Sequence, residues 1–413
     1  MKRLTVLILA LLLPVFSGPA AAQTEPGPLP LFEASLLQGW LCRDWTPARW
    51  ERELLDMKQA GFRSVILQSC VDLTYEKTDA SAEKTDPDAY SLTAAYALCP
   101  TAAVSGSETA HALSDALAAA EQTGMQIWIG TVSDSRWWNY GWGVPDEGFS
   151  AWSAENTAVC GDFVREVTAL YGTRYDAQIA GFYYQNEIWN FDAACAGTDG
   201  GKTAEILAGN ISGTLDAVRA ACPGKPLMLS PFFNRDLSSA AQYAAFWETL
   251  ADSSGLRTAD IIALQDGAGR DYGTDTLAEW ASALHGALRD RVTFWSNNET
   301  FRSDFAPLPA ADLKADVLAT ACAKRHILFS WNHYYHAADH AENAAWERDF
   351  AKLLAVTAGD INDDGVCSPA DAVSLVHWLM HDRIALQNWT AGDLDGSGSL
   401  NAADLTLLKR RLQ

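Results

Sequence analysis

The chain has 413 residues, of which 52 are acidic and 30 basic, for a formal net charge of −22, and 48% of it is hydrophobic. So acidic a chain argues against nucleic acid as a partner, because phosphate backbones require cationic neutralisation. The length suits one large domain plus a small one.

Residues 1–22 read as a secretory signal peptide: Lys2 and Arg3, an apolar run over 4–16, then Ala20, Ala21 and Ala22. That run is too short to span a bilayer, and no cysteine stands at the cleavage point to take a lipid. The mature chain is expected to begin near Gln23 and to be extracellular, without a membrane anchor. Eight cysteines (Cys42, Cys70, Cys99, Cys160, Cys195, Cys222, Cys322 and Cys367) are scattered with no C-x-x-C pair. Disulfides and buried thiols are both open for them.

Residues 30–357 alternate short apolar runs with helical patterns. Strands are predicted over 35–41, 64–69, 126–131, 180–185, 226–231, 261–265, 292–296 and 327–331. Helices are predicted over 47–60, 108–123, 154–171, 202–221, 239–253, 276–289, 310–323 and 341–354. The first helix carries Thr46 as N-cap, Pro47 in its first turn and Gly61 just past its end. Eight strand–helix units predict a (β/α)8 TIM barrel of class α/β. No glycine-rich phosphate loop follows the first strand, which disfavours a doubly wound sheet.

In such a barrel the functional groups lie where strands run into the following loops. Those positions hold Gln68 after strand two; Trp137, Trp138, Tyr140 and Trp142 after strand three; and Asn186 and Glu187 after strand four. Asp266 follows strand six, Asn298 and Glu299 strand seven, and Trp331, Asn332, His333 and Tyr334 strand eight. Glu187 and Glu299 would face each other across the mouth, as a two-carboxylate glycosidase requires. The tryptophan-rich loop after strand three offers flat faces for pyranose rings. His333, His336 and His340 with Asp339 lack the spacing of a zinc site, so no cofactor is expected in the barrel.

Residues 358–413 contain one pattern twice. Asp360, Asn362, Asp364, Val366, Ser368 and Asp371 occupy positions 1, 3, 5, 7, 9 and 12 of a loop with Gly365 at position 6. Asp393, Asp395, Ser397, Ser399, Asn401 and Asp404 repeat it around Gly398. Alternate oxygens on a tight loop suit calcium, with position 7 giving its backbone carbonyl, so two calcium ions are expected.

This loop–helix duplication resembles the type I dockerin, with aspartate in place of the EF-hand glutamate at position 12. The resemblance implies a cohesin domain of a scaffoldin as partner, with specificity carried by Pro369–Ala370 and Ala402–Ala403, and a place in a cellulosome-like complex. The barrel is similar to clan-A glycoside hydrolases in its Asn186–Glu187 pair, Glu299 and Trp331. That likeness implies Glu187 as acid/base, Asn186 on the sugar 2-hydroxyl and Glu299 as nucleophile of a retaining enzyme acting on polysaccharide. The chain departs from that clan at Gln68, where an arginine is usual, and in having no clear strand-six tyrosine. Segment by segment it more closely resembles a bacterial secreted TIM-barrel family, glycoside-hydrolase-like in fold, through W-T-x-x-x-W (45–50), M-K-x-A-G (57–61), G-F-Y (181–183), S-P-F-F (230–233) and Q-D-G-x-G (265–269). A non-catalytic carbohydrate-binding barrel and a metal-dependent hydrolase remain alternatives at this level.

Overall fold

The structure is a computed structural model describing residues 32–79, 81–82, 86–140, 147–190, 200–336, 357–362, 364–380, 386, 388–397 and 400–413. The expected signal peptide, the helix expected over 341–354, His340, Asp339, Cys195, Trp142 and Ser399 lie outside the described residues.

In chain order the first half contains β1 (Ala34–Leu37), α1 (Gly39–Cys42), α2 (Pro47–Gln59), β2 (Ser64–Leu67), β3 (Val71–Lys77), β4 (Tyr90–Ala97), α3 (Ala112–Thr123), β5 (Gln126–Gly130), β6 (Val132–Asp134), α4 (Trp137–Tyr140) and α5 (Glu147–Tyr171). There follow β7 (Ile179–Tyr184), α6 (Gly200–Ala221), β8 (Leu227–Leu229), α7 (Ala240–Ser254), β9 (Ile261–Gln265), α8 (Thr274–Leu288), β10 (Thr293–Glu299), α9 (Ala310–Ala319) and β11 (His326–Phe329). The C-terminal region holds α10 (Pro369–Leu379), α11 (Trp389–Gly392) and α12 (Ala402–Arg411).

Eight parallel strands close into a barrel in the order β1-β11-β10-β9-β8-β7-β5-β2. All eight fall within a residue or two of where the apolar runs place their starts. Because strand side chains alternate between faces, each strand feeds two separate cores. Leu36, Ile66, Trp128, Tyr183, Met228, Ala263, Trp295 and Ile327 point inward and plug the barrel. Trp128 and Trp295 meet there edge to face at 6.3 Å. Their neighbours Leu37, Val65, Leu67, Ile127, Phe182, Leu229, Ile262, Phe294 and Leu328 point outward into the layer shared with the helices. Each large side chain so buried contributes roughly 1.5–3 kcal/mol. The plug also dictates glycine at 181, since a Cβ there would lie 2.5 Å from the Trp128 ring and from the Pro226 carbonyl.

Local signals act as expected at α2, where Thr46 Oγ1 accepts from Arg49 N at 3.3 Å and Gly61 turns the chain at φ 100°. At α7, Ser239 and Gln242 form a reciprocal capping box. One element is absent from the sequence-based reading: β3 and β4 pair antiparallel, and β6 adds to β3 in parallel, making a three-stranded sheet beside the mouth. The alternation of Val71, Leu73 and Tyr75 with Asp72, Thr74 and Glu76 is its signal. Helix α5 also begins at Glu147, seven residues before the expected 154. Among the described residues no helix is long and apolar enough to cross a membrane.

Candidate active site

The inward register continues past the plug to the C-terminal rim. Gln38, Gln68, Gln185, Gln265 and Asn297 stand at inward-parity positions above it, as do Glu187 and Glu299. Several of their polar atoms have no partner among the described residues: Gln185 Oε1, Asn297 Oδ1 and, beneath them, Trp295 Nε1 are buried without a hydrogen bond there. Buried groups of this kind ordinarily find a partner, so this floor is a place where a polar ligand would supply one.

Glu187 keeps some exposure as a residue while its carboxyl group is enclosed. Burial pushes that carboxyl up to about 7, and a hydrogen bond with Gln265 partly offsets the push. Glu299 is raised by burial, then by the charge of Asp266, and further by Glu187; the Gly269 N–H and Arg270 pull the other way. Gly269 N donates to Glu299 Oε2 at 2.6 Å, and a Cβ at 269 would strike Phe301 at 2.5 Å and that same oxygen at 3.0 Å. Glycine at 269 thus lets the backbone approach the carboxylate.

Asp266 sits one residue past the inward Gln265 and faces the outer layer. It accepts from Ala268 N (3.1 Å), Asn298 Nδ2 (2.8 Å) and Glu299 N (3.3 Å). His326, held neutral because burial lowers its affinity for a proton to about 4, places Nδ1 3.0 Å from Asn298 Oδ1. With three donors, Asp266 is the member of the Asp266–Glu299 pair that holds the negative charge, and Glu299 is pushed toward its protonated form.

Four residues expected to touch substrate are turned away from the mouth: Asn186, Asp266 and Asn298 because the alternation that points one residue inward points the next outward, and Trp331 because the chain has left β11 for a helical turn, Trp331–Tyr335, that packs on the outer core. Asn186 Nδ2 donates toward Asn156 Oδ1 (3.0 Å), Tyr184 Oη (3.3 Å) and Asn210 Oδ1 (3.3 Å), among helices α5 and α6. Its expected contact with a sugar hydroxyl is therefore corrected, and Asp266 and Asn298 are corrected on the same ground. Trp331 is buried between Phe62 and Tyr335, and its indole N–H donates to Glu53 on α2 at 2.7 Å. His336 meets the same Glu53 oxygen at 2.7 Å.

The strand-three loop divides. Trp137 is buried with its ring tilted against Trp152 at 5.5 Å, so it is core and the expected sugar contact is corrected; Trp138 is 51% exposed. The side chain of Tyr140 lies outside the described residues. Gln68 is half-buried at the end of β2. Asn332 Oδ1 accepts from Gln38 N at 3.1 Å, while its Nδ2 is buried without a partner.

His333 and Tyr334 stand in an aromatic cluster at the rim of β10, β11 and β1. Tyr334 is stacked on His333 at 4.0 Å and on Phe301 at 4.3 Å, and burial, then the Glu299 charge, raise its phenol. Trp40 and Phe305 complete this cluster, and neither was singled out from sequence. A tryptophan two residues after the inward Gln38 was the available signal for the first; nothing local marks the second.

In the C-terminal region each position-12 aspartate organises its loop. Asp371 is fully buried and accepts from Ile361 N (2.8 Å), Asn362 N (3.0 Å) and Ser368 N (2.7 Å). Asp404 repeats this with Leu394 N (2.9 Å), Asp395 N (3.2 Å) and Asn401 N (2.9 Å). Asp360 accepts from Asp364 N and Gly365 N. Carboxylate oxygens of Asp393, Asp395 and Asp404 all lie within 4.8 Å of one another. A cation would relieve the repulsion among three like charges so close, and the all-oxygen donor set fits a hard one such as calcium. Ile361, Leu375, Leu386, Leu400 and Leu408 form the small core beneath both loops.

Residues 34–342 match the family described as Domain of unknown function (DUF4434), and residues 358–413 match the Dockerin type I domain. No curated protein matches the chain. Among solved structures, a protein proposed as an alpha-L-fucosidase from Bacteroides thetaiotaomicron VPI-5482 is similar at 17% identity and TM-score 0.59, over 83% of this chain and 98% of that one. A beta-galactosidase from the psychrophilic Marinomonas ef1 is similar at 10% identity and TM-score 0.47, over 84% of this chain and 60% of that one. The first of these likenesses bears on the fold alone, a TIM barrel. The chain belongs to the DUF4434 family and carries a type I dockerin domain at its C-terminal end.

Proposed function

We propose that the barrel is a glycoside hydrolase acting on polysaccharide, with Glu187 as acid/base and Glu299 as nucleophile in a retaining mechanism. The observation that carries the reading is the pair of enclosed, proton-hungry carboxyl groups at inward positions past β7 and at the end of β10, above a floor of unsatisfied amides. A carboxyl raised to about 7 is protonated often enough at neutral pH to protonate a leaving oxygen, and ionised often enough to activate water afterwards. The Gly269 N–H holds Glu299 in place and favours its ionised form for attack on the anomeric carbon.

Because Asp266 raises Glu299, the reactive combination of ionised Glu299 and protonated Glu187 is a minority of the singly protonated pair. The activity profile is then a bell whose two limbs belong to the coupled carboxyls together. Incubating the wild type with a polysaccharide panel and following the first-formed anomer by proton NMR tests the reading. Release of reducing ends with retained configuration is expected; glycan binding with no release would make the barrel a carbohydrate-binding module instead. The outward turn of Asn186 is the observation favouring that second reading.

The dockerin would hold calcium through Asp360, Asn362, Asp364, Ser368 and Asp371 with the Val366 carbonyl, and through Asp393, Asp395, Ser397, Asn401 and Asp404. The ion supplies the charge that lets these carboxylates converge. We assign cohesin docking on an extracellular scaffold to this module, and carbohydrate processing to the barrel it carries.

A further inference from the structure

The rim of β10, β11 and β1 carries a column of rings that the two carboxyl groups do not account for. Phe301, Tyr334 and His333 stack in sequence, with centroids 4.3 and 4.0 Å apart and interplanar angles of 23° and 24°. Trp40 caps the His333 end edge to face at 5.4 Å. Phe305 lies near-parallel to Tyr334 at 6.3 Å and to Phe301 at 5.8 Å. The faces of Tyr334 are taken by its neighbours, so the column is a rigid spacer. Its two ends are open: Trp40 is 52% exposed and Phe305 66%.

Phe305 is displayed at a conformational cost. It has φ 64° at the tip of a tight loop, a left-handed conformation that a bulky side chain rarely adopts. The loop is closed by hydrogen bonds from Arg302 N to Ala306 O (2.9 Å) and from Leu308 N to Thr300 O (2.8 Å). It is pinned by an Arg302–Asp312 ion pair and a Ser303–Asp271 hydrogen bond. The ring packs on Phe301 and Tyr334 yet remains 66% exposed.

The column is continuous with the catalytic pair. Tyr334 is within the field of Glu299, and a single Cβ at 269 would touch both Phe301 and Glu299. Flat, exposed aromatic faces beside a polar floor suit the apolar faces of pyranose rings. The chain's net charge of −22 and the clustered carboxylates disfavour polyuronates.

We propose that Trp40 and Phe305 are the two outer platforms of an extended subsite for a neutral oligosaccharide. The ligand lies along the β10–β11–β1 rim and spans several sugar units, with the scissile region facing Glu299 between the platforms. This deepens the glycoside-hydrolase reading and rests on it for the placement of the scissile bond.

Full-length protein carrying Glu299→Gln, which halts turnover, is titrated calorimetrically with cellohexaose, xylohexaose, mannohexaose and a galacturonic acid hexamer. At least one neutral hexasaccharide binds, the acidic one does not, and Trp40→Ala and Phe305→Ala each weaken the neutral ligand about tenfold. Trp40→Phe restores part of the loss, and both alanine variants keep the parental melting temperature because the rings are exposed. Unchanged affinity in both alanine variants overturns the proposal, as does failure of every neutral hexasaccharide to bind. Should the unsubstituted chain bind but cleave nothing, the hydrolase reading fails while the platforms stand; should it cleave glycans with affinity indifferent to both rings, the platforms fail alone.

Discussion

The dockerin and the barrel mouth both depend on carboxylates, yet they assemble them in opposite ways. In the dockerin every ligand of one loop comes from twelve consecutive residues, and a single buried aspartate, Asp371 or Asp404, gathers three backbone amides around it. In the mouth, Glu187 and Glu299 come from strands 112 positions apart, and only closure of the barrel brings them together. A local site is legible as spacing; a dispersed site is legible only once the inward parity of each strand is known.

The largest effect separating the two regions is expected from calcium removal. Chelation leaves Asp393, Asp395 and Asp404 facing one another with no counter-charge, so the C-terminal helices unravel and cohesin affinity is lost. Turnover by the barrel, whose carboxyls hold no ion in this account, stays as it was. Pull-down on an immobilised cohesin and reducing-sugar release, measured on one sample before and after chelation, check this. Parallel loss of both would contradict the separation of roles.

A smaller effect tests the outward turn of Asn186. Replacing it with alanine strips a donor from Asn156, Asn210 and Tyr184 and is expected to cost about 1–3 kcal/mol of stability in urea titration. An essential sugar contact would instead show as a large fall in kcat/KM with stability preserved. The smallest effect belongs to Asp266→Asn. Removing its charge makes ionisation of Glu299 easier, so the acidic limb of the pH–activity profile moves to lower pH. An acidic limb that stays in place would show that the Asp266 charge does not act on Glu299.

Much of this was written in local pattern. The eight apolar runs mark all eight barrel strands, because a parallel strand covered on both faces must be apolar throughout. The hairpin of β3 and β4 escapes that rule, because its second strand, Tyr90–Ala97, is mostly exposed and is not a barrel strand covered on both faces. At the site, Glu187 and Glu299 were visible as carboxylates at strand ends, while Asn186, Asp266 and Asn298 were visible only as neighbours of the mouth. Proximity in sequence does not distinguish them; a one-residue step in a strand reverses the face. Phe305 was not legible at all, since its role depends on a left-handed turn that no glycine or asparagine announces.

Assignment of the chemistry to Glu187 and Glu299 is decided by chemical rescue: turnover of an activated glycoside by Glu187→Ala and Glu299→Ala with and without azide. Each variant should lose roughly 10²–10⁴-fold in rate. Azide should restore Glu187→Ala with a glycosyl azide of retained configuration, and Glu299→Ala with the inverted one. Wild-type rates in either variant, or no product from the wild type on any glycoside, would contradict it.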